Sequence, residues 1–276
     1  MRVPFVVAVA ALAGLAGVAA GQIDELGAQG RQADDGIDLA EARLVDLSHP
    51  FNSRTIYWPT AQKFKLTKVA DGETEGGYHY SANNFRGAEH GGTHLDAPIH
   101  FSEGGQTADR VPLRKVVGPA VTVDVRSKVD RDYLISVADL EAFEAREGRI
   151  PAETIVLLRT GWSSRWPNAR RYLGTAQRGE AAVPNLHFPG LGEEAARWLV
   201  EERKVRAVGI DTASIDYGQS SDFRTHRVLA AAQVPVFENL TNLNRVPAKG
   251  FHVVALPMKI QGGSGGPLRT MAILGG

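Results

Sequence analysis

Cysteine is absent from all 276 residues. That excludes disulfides, thiolate metal sites, a cysteine nucleophile and a lipidated N-terminal cysteine. Excess charge of either sign is absent too: 31 Lys and Arg balance 31 Asp and Glu. The chain therefore lacks the electrostatic footprint that binds nucleic acid or an anionic membrane surface. Beyond residue 20 no apolar run is long enough to cross a bilayer. Internal repeats and low-complexity tracts are also missing. What remains, with 43% hydrophobic residues, suits one globular domain large enough to bury a real core.

The N-terminus reads differently. Met1-Arg2-Val3-Pro4 is followed by an apolar, alanine-rich run over residues 5–20 that ends in Val18, Ala19, Ala20 and Gly21. One positive charge, a short apolar run and small residues at its end predict a signal peptide over residues 1–21, cleaved after Ala20 or Gly21. An uncleaved anchor is the alternative, but the run falls short of the ~20 apolar residues that span a bilayer. Residues 22–42 are polar with Gly and Asp, which predicts a flexible leader. The domain then occupies residues 43–276.

Within it the patterns predict many strands, few helices and short connections. Leu44, Val45 and Leu47 open a first strand, and Tyr57-Trp58-Pro59 lies in a loop. Residues 78–85 and 88–97 read as extended. The alternation of residues 120–125 and the apolar runs at 154–159, 207–210, 235–237, 251–256 and 268–274 predict further strands. Residues 136–147 read as a helix, with Ser136 and Asp139 in capping-box positions and Gly148 as the stop. Residues 193–203 read as an amphipathic helix with Leu199 and Val200 inward.

Three of the eight histidines fall within residues 90–100, His90-Gly91-Gly92-Thr93-His94-Leu95-Asp96-Ala97-Pro98-Ile99-His100, where random placement would put about a third of one. Neutral imidazole and carboxylate are what a divalent transition metal takes as ligands. In an extended strand His90, Gly92, His94 and Asp96 would share one face, with Gly92 leaving open space on it. A helix is a poor alternative, since a Gly-Gly pair costs roughly 2 kcal/mol there and Pro98 would end it. In a flat strand the alpha carbons of His90 and His94 would stand ~13 Å apart, so the Gly91-Gly92 pair is expected to bend or bulge the chain. A second segment carries His226, just before an apolar helical run at 227–232. Glu238 follows the apolar strand at 234–237, placed to bind an ion or to support a ligand.

Gly262-Gly263-Ser264-Gly265-Gly266 formally matches a serine nucleophile elbow. Pro267 stands where the helix should begin, however, and no His, Asp or Glu follows Ser264, whereas the partners of an elbow serine follow it in the chain. As a phosphate loop the run lacks the Lys-Ser/Thr ending. A tight turn close to the pocket is the expectation.

The run at 90–100 resembles the His-x-Gly-Thr-His-x-Asp-x-Pro-x-His signature of the metal-dependent hydrolases of the cyclase family, which includes bacterial kynurenine formamidase and isatin hydrolase. Asp46-Leu47-Ser48-His49-Pro50, Tyr57-Trp58-Pro59, residues 209–216, Glu238-Asn239-Leu240 and residues 255–265 extend the resemblance over 42–276. It implies a single α/β domain with a mixed, barrel-like β-sheet flanked by a few helices, of the swivelling β/β/α type, and a homodimer or higher oligomer. It implies His90, His94 and Asp96 as ligands of a first metal. Asp96 would bridge to a second held by His226 and Glu238 in a dinuclear member, with manganese or zinc as the ion. His100 would be the catalytic histidine, with a third ligand role as the competing assignment. Tyr57, Trp58, Phe64 and Trp162 are candidates for a flat aromatic pocket, or else core residues. The expectation is hydrolysis of a small-molecule cyclic amide of the isatin type by an exported, periplasmic or secreted enzyme. Arylformamide hydrolysis is the runner-up and a non-catalytic metal- or solute-binding protein the rival from another class.

Overall fold

The computed structural model describes residues 38–275. The signal-peptide reading and most of the leader, residues 1–37, lie outside the described residues. Among those described, no helix is long and apolar enough to cross a membrane.

Twelve strands follow in chain order: β1 Arg43–Asp46, β2 Lys65–Glu73, β3 His79–Arg86, β4 His94–Asp96, β5 Val117–Asp124, β6 Leu134–Ile135, β7 Ile155–Arg159, β8 Gly190–Leu191, β9 Ala207–Ile210, β10 Val236–Glu238, β11 Phe251–Pro257 and β12 Gly265–Leu274. The main sheet runs β1-β12-β11-β5-β7-β9-β10-β4, and β4 pairs with β12 as well as β10. That extra pairing closes seven strands into a mixed barrel, with β1 appended to β12. It is the barrel-like α/β fold that the resemblance implied. Closure leaves few bare strand edges.

The parallel strands β7 and β9 show why their apolar runs are continuous rather than alternating. Ile155 and Leu157 face one core cluster with Ala207, Phe237 and Val253. Val156 and Leu158 face a second cluster with Val208, Ile210 and helix residues. A parallel strand with both faces covered must be apolar at every position. The outer cover comes from α1 Val137–Glu147, α2 Glu193–Glu201 and α3 Arg224–Ala231, which contribute Leu140, Phe143, Leu199 and Leu229 to the second cluster. The cap expected on the first of these is present: the Asp139 carboxylate accepts from the Ser136 N–H and hydroxyl, both at 2.9 Å, and Gly148 ends the helix at φ +79°. In α2 Leu199 is inward as expected, while Val200 is only half-buried.

Two expectations need correction. The extended reading of 88–97 holds only for His94–Asp96. Before it the chain bends at Gly92, φ +60°, so His90 is not on the strand face. Nor does Gly92 leave open space, since a Cβ there would lie 2.7 Å from the Phe51 ring. The bend itself was expected. The second difference is β2, for which the sequence carries no strand signal. It pairs with β3 in a separate two-stranded arm, exposed along nearly its whole length, with Leu66, Val69, Tyr80 and Phe85 all more than half exposed.

Candidate metal centre

Strand alternation decides which side chains meet. Leu95 and Phe237 point into the barrel core, so their neighbours His94, Asp96 and Glu238 point to the opposite face of the wall. Register places Glu238 directly across from His94. Glu238 is thus the last residue of its strand rather than just beyond it. His226 comes from the first turn of α3 rather than from ahead of it, and is buried against the same face. His90 arrives from the bent segment before β4.

These groups converge on the Asp96 carboxylate. Asp96 Oδ1 lies 2.6 Å from His90 Nδ1 and 3.1 Å from His94 Nε2, while Oδ2 lies 3.0 Å from His226 Nε2. Glu238 reaches His226 Nε2 at 3.2 Å and His94 Nε2 at 3.5 Å. Asp96 takes part in two sets of donor atoms close enough to hold an ion, one with His90 and His100, the other with His94 and Glu238.

The far side of two rings fixes their protons. His94 Nδ1 lies 2.9 Å from the Gly92 carbonyl, which only accepts, so Nδ1 carries a hydrogen and Nε2 is the nitrogen an ion would take. His226 Nδ1 lies 2.6 Å from Asp216 Oδ2, with the same consequence. Asp216 is itself held by the backbone N–H groups of Thr225 and His226. Glu238 Oε1 accepts the Ile215 N–H at 2.7 Å. With no ion between them, the carboxylates raise both rings toward the charged form, which hydrogen-bonds Asp96 and Glu238 through Nε2, and a bound cation would take the place of those protons. The donor set of imidazole nitrogen and carboxylate oxygen, with each ligand braced from behind, fits a zinc- or manganese-type ion.

The electrostatics agree. Burial acts to raise the Asp96 carboxyl, but the charges of His90 and His94 and the hydrogen bonds from His226 and His90 hold it well below the usual carboxylate range. Burial works against charging His94, yet Asp96 and Glu238 outweigh it and move its pKa up to about 9. Burial and the Asp96 charge push Glu238 up. Two carboxylates this close and this buried require positive charge between them.

A cavity of about 260 Å³ opens over the centre, walled by Ile56, Tyr57, Trp58, Phe101 and Phe223. His100, in a short turn of 3₁₀ helix at Pro98–His100, also lines it. Its ring stacks on His90 at 3.8 Å between centroids, and burial, with the surrounding histidines, pulls its pKa down to about 4. Of the four aromatic candidates, Tyr57 and Trp58 are in the wall. Phe64 and Trp162 are not. Phe64 lines a separate apolar cavity behind Tyr57 with Phe51, Phe85 and Met258. Trp162 is core, its Nε1–H donating to the Tyr172 carbonyl at 2.8 Å. Sequence reasoning missed Phe101 and Phe223, one adjacent to His100 and the other three residues before His226. Ser214 lines the cavity, Asp211 fastens Thr160 and Gly161, and Gln219 holds the Leu186 carbonyl.

Ser264 has partners after all, from earlier in the chain. Its hydroxyl lies 2.8 Å from His90 Nε2, forming with His90 and Asp96 a chain that outwardly resembles a Ser-His-Asp triad. Ser264 does not line the cavity, however, and it cannot act as the nucleophile from behind the histidine.

A mixed barrel carrying three histidines and two carboxylates beneath an aromatic cavity defines a metal-dependent hydrolase centre. Comparison with known proteins names the family. The Cyclase family pattern matches residues 45–217, and the chain belongs to that family. Isatin hydrolase A from Ralstonia solanacearum has the same fold, with a TM-score of 0.76 at 34% identity, covering 85% of this chain and 93% of that one. Isatin hydrolase from Roseibium aggregatum is 28% identical over 222 residues, 77% of this chain and 81% of its own length. Kynurenine formamidase from Salinibacter ruber is 28% identical over 236 residues, 83% and 96% of the two. The chain is a metal-dependent hydrolase related to both.

Proposed function

We propose that this enzyme hydrolyses the C–N bond of a small aromatic cyclic amide, isatin to isatinate in type. The observation that carries the reading is the convergence of His90, His94 and His226 on Asp96 and Glu238 at the floor of an aromatic-walled cavity. His90, His94 and Asp96 would hold one ion, and Asp96, His226 and Glu238 are the residues that would hold a second. Manganese or zinc suits these donors. When bound, the ion acidifies water toward a pKa near ~7 and polarises the amide carbonyl.

The chain's own residues do the rest. Tyr57, Trp58, Phe101 and Phe223 receive a flat ring and exclude bulk water. His100, neutral and facing the cavity, takes the proton from the attacking water. As the water oxygen bonds to the carbonyl carbon and the C–N bond breaks, His100 returns the proton to the leaving nitrogen. A carboxylic acid, which ionises by releasing its proton to solvent, and an arylamine result. Arylformamide hydrolysis is the second reading, favoured by the match to kynurenine formamidase over 96% of its length.

The test is consumption of isatin and of N-formylkynurenine by the purified chain, before and after chelation and after adding back manganese or zinc. Chelator-sensitive isatin turnover restored by one metal is expected. Much faster turnover of formylkynurenine would replace isatin with the arylformamide. Metal counting on the loaded protein decides between one ion and two. The enzyme is further proposed to be exported to the periplasm or beyond, with residues 1–21 as its signal peptide, which N-terminal sequencing of the mature form checks. A homodimer or larger homo-oligomer would cover the exposed arm of β2 and β3, and light scattering tests that.

A further inference from the structure

The glycine-flanked serine is the one motif that hydrolysis in the cavity leaves unused. Its surroundings are specific. Glu89 Oε2 accepts the Ser264 N–H at 2.9 Å and the Ser264 hydroxyl at 2.6 Å. On its other side the same hydroxyl oxygen lies 2.8 Å from His90 Nε2. The flanking glycines permit this approach: a Cβ at Gly263 would stand 2.8 Å from Glu89 Oε1, and one at Gly265 would stand 2.6 Å from His90 Cε1.

A serine hydroxyl has one proton. At 2.6 Å from a carboxylate oxygen that also takes the neighbouring N–H, the contact has the length of a charge-assisted O–H···O⁻ bond. With its proton given to Glu89, Ser264 Oγ presents a lone pair to His90, so the hydrogen there sits on Nε2. His90 Nδ1 is then the nitrogen an ion would take; with no ion between them it hydrogen-bonds Asp96 Oδ1 at 2.6 Å, and an ion would replace that proton. The opposite assignment, with the serine proton on the histidine, sets two lone pairs against each other between Ser264 and Glu89.

We propose that Glu89 and Ser264 are positioning residues that fix the tautomer of His90 and commit it to hold metal through Nδ1. His94 and His226 are set to use Nε2, with Gly92 and Asp216 doing for them what the serine and glutamate do for His90. The inference rests on the metal-hydrolase reading. It goes beyond it by assigning the ligating atom and a role for the Gly-Gly-Ser-Gly-Gly turn.

Long-range ¹H–¹⁵N NMR of histidine-labelled, zinc-loaded enzyme reads the tautomers directly. The expected result is His90 protonated on Nε2 with a metal-shifted Nδ1, while His94 shows the reverse. Zinc affinity measured by chelator competition is expected to fall about 10- to 100-fold in Ser264→Ala and in Glu89→Gln. The double variant should be no weaker than the worse single one, because both act through one proton. A zinc-loaded protein with His90 protonated on Nδ1 overturns the proposal, and so do losses that multiply in the double variant. A wild-type chain that binds no zinc removes the metal reading itself and this inference with it. The wild-type spectrum decides the matter even if a variant fails to fold.

Discussion

Each imidazole around Asp96 gives one ring nitrogen to a fixed neighbour and turns the other toward the carboxylate: His94 to the Gly92 carbonyl, His226 to Asp216, His90 to Ser264. His100 also lies in one donor set with His90 and Asp96, but it stacks on His90, faces the cavity and has no such brace among the described residues. The difference separates holding an ion from moving a proton. His100→Ala is expected to lower kcat by about 10²- to 10⁴-fold while bound metal, counted by elemental analysis, stays at the wild-type level. Loss of metal in that variant would make His100 a ligand. Asp96→Asn is expected to do the reverse and empty the centre, because Asp96 takes part in both donor sets. Full metal content in Asp96→Asn would contradict its place at the middle.

At the scale of the element, the site depends on a three-residue strand and the bend before it. Gly91 forms an isolated bridge to Tyr57, and a Cβ on Gly91 would overlap the Tyr57 ring. Gly91→Ala must therefore move either the cavity wall or the segment carrying His90. A loss of about 1–3 kcal/mol is expected, read by urea denaturation, together with a raised KM for the aromatic substrate. Unchanged stability and KM would show that the ring has room to give. This bend also marks how far the sequence could be read. His94 and Asp96, two residues apart in a true strand, behaved as alternation requires. His90 could be brought to them only by a turn, and the Gly-Gly pair signalled a turn without specifying its direction. β2 stayed hidden for another reason. The period-2 signal arises from half-burial, and an arm exposed on both faces carries none. Whether Phe64 and Trp162 belong to the wall stayed open because an aromatic side chain looks the same in sequence whether it walls a cavity or fills a core. The parallel strands β7 and β9 were legible because burial on both faces leaves an unbroken apolar run.

For the molecule as a whole, burial of titratable groups sets the response to acid. His49 shows this outside the metal centre. It is buried, its ring stacks on Trp166 at 4.1 Å, and its Nε2 has no hydrogen-bond partner among the described residues. Burial draws its pKa from 6.5 down to about 4, although the charge of Asp46 opposes the shift. Below pH 6.5 the unfolded chain takes up a proton at His49 that the folded chain refuses until about pH 4. Stability therefore rises with pH across that window and is unaffected above it. At about 1.4 kcal/mol per pKa unit, the folded enzyme is expected to lose up to about 3 kcal/mol between pH 7 and pH 4 through this residue. Carboxylates such as Asp216, held low by His226 against the effect of burial, add their own loss only in stronger acid. His49→Phe keeps the stacked ring and removes the proton site. Urea unfolding of both proteins at pH 7, 6, 5 and 4 isolates the effect, because every other titration is common to the two. The variant should gain on the wild type steadily as the pH falls, by up to about 3 kcal/mol. A constant difference across the series would mean that His49 charges freely in the folded state, and that water or a shift of Trp166 reaches its Nε2.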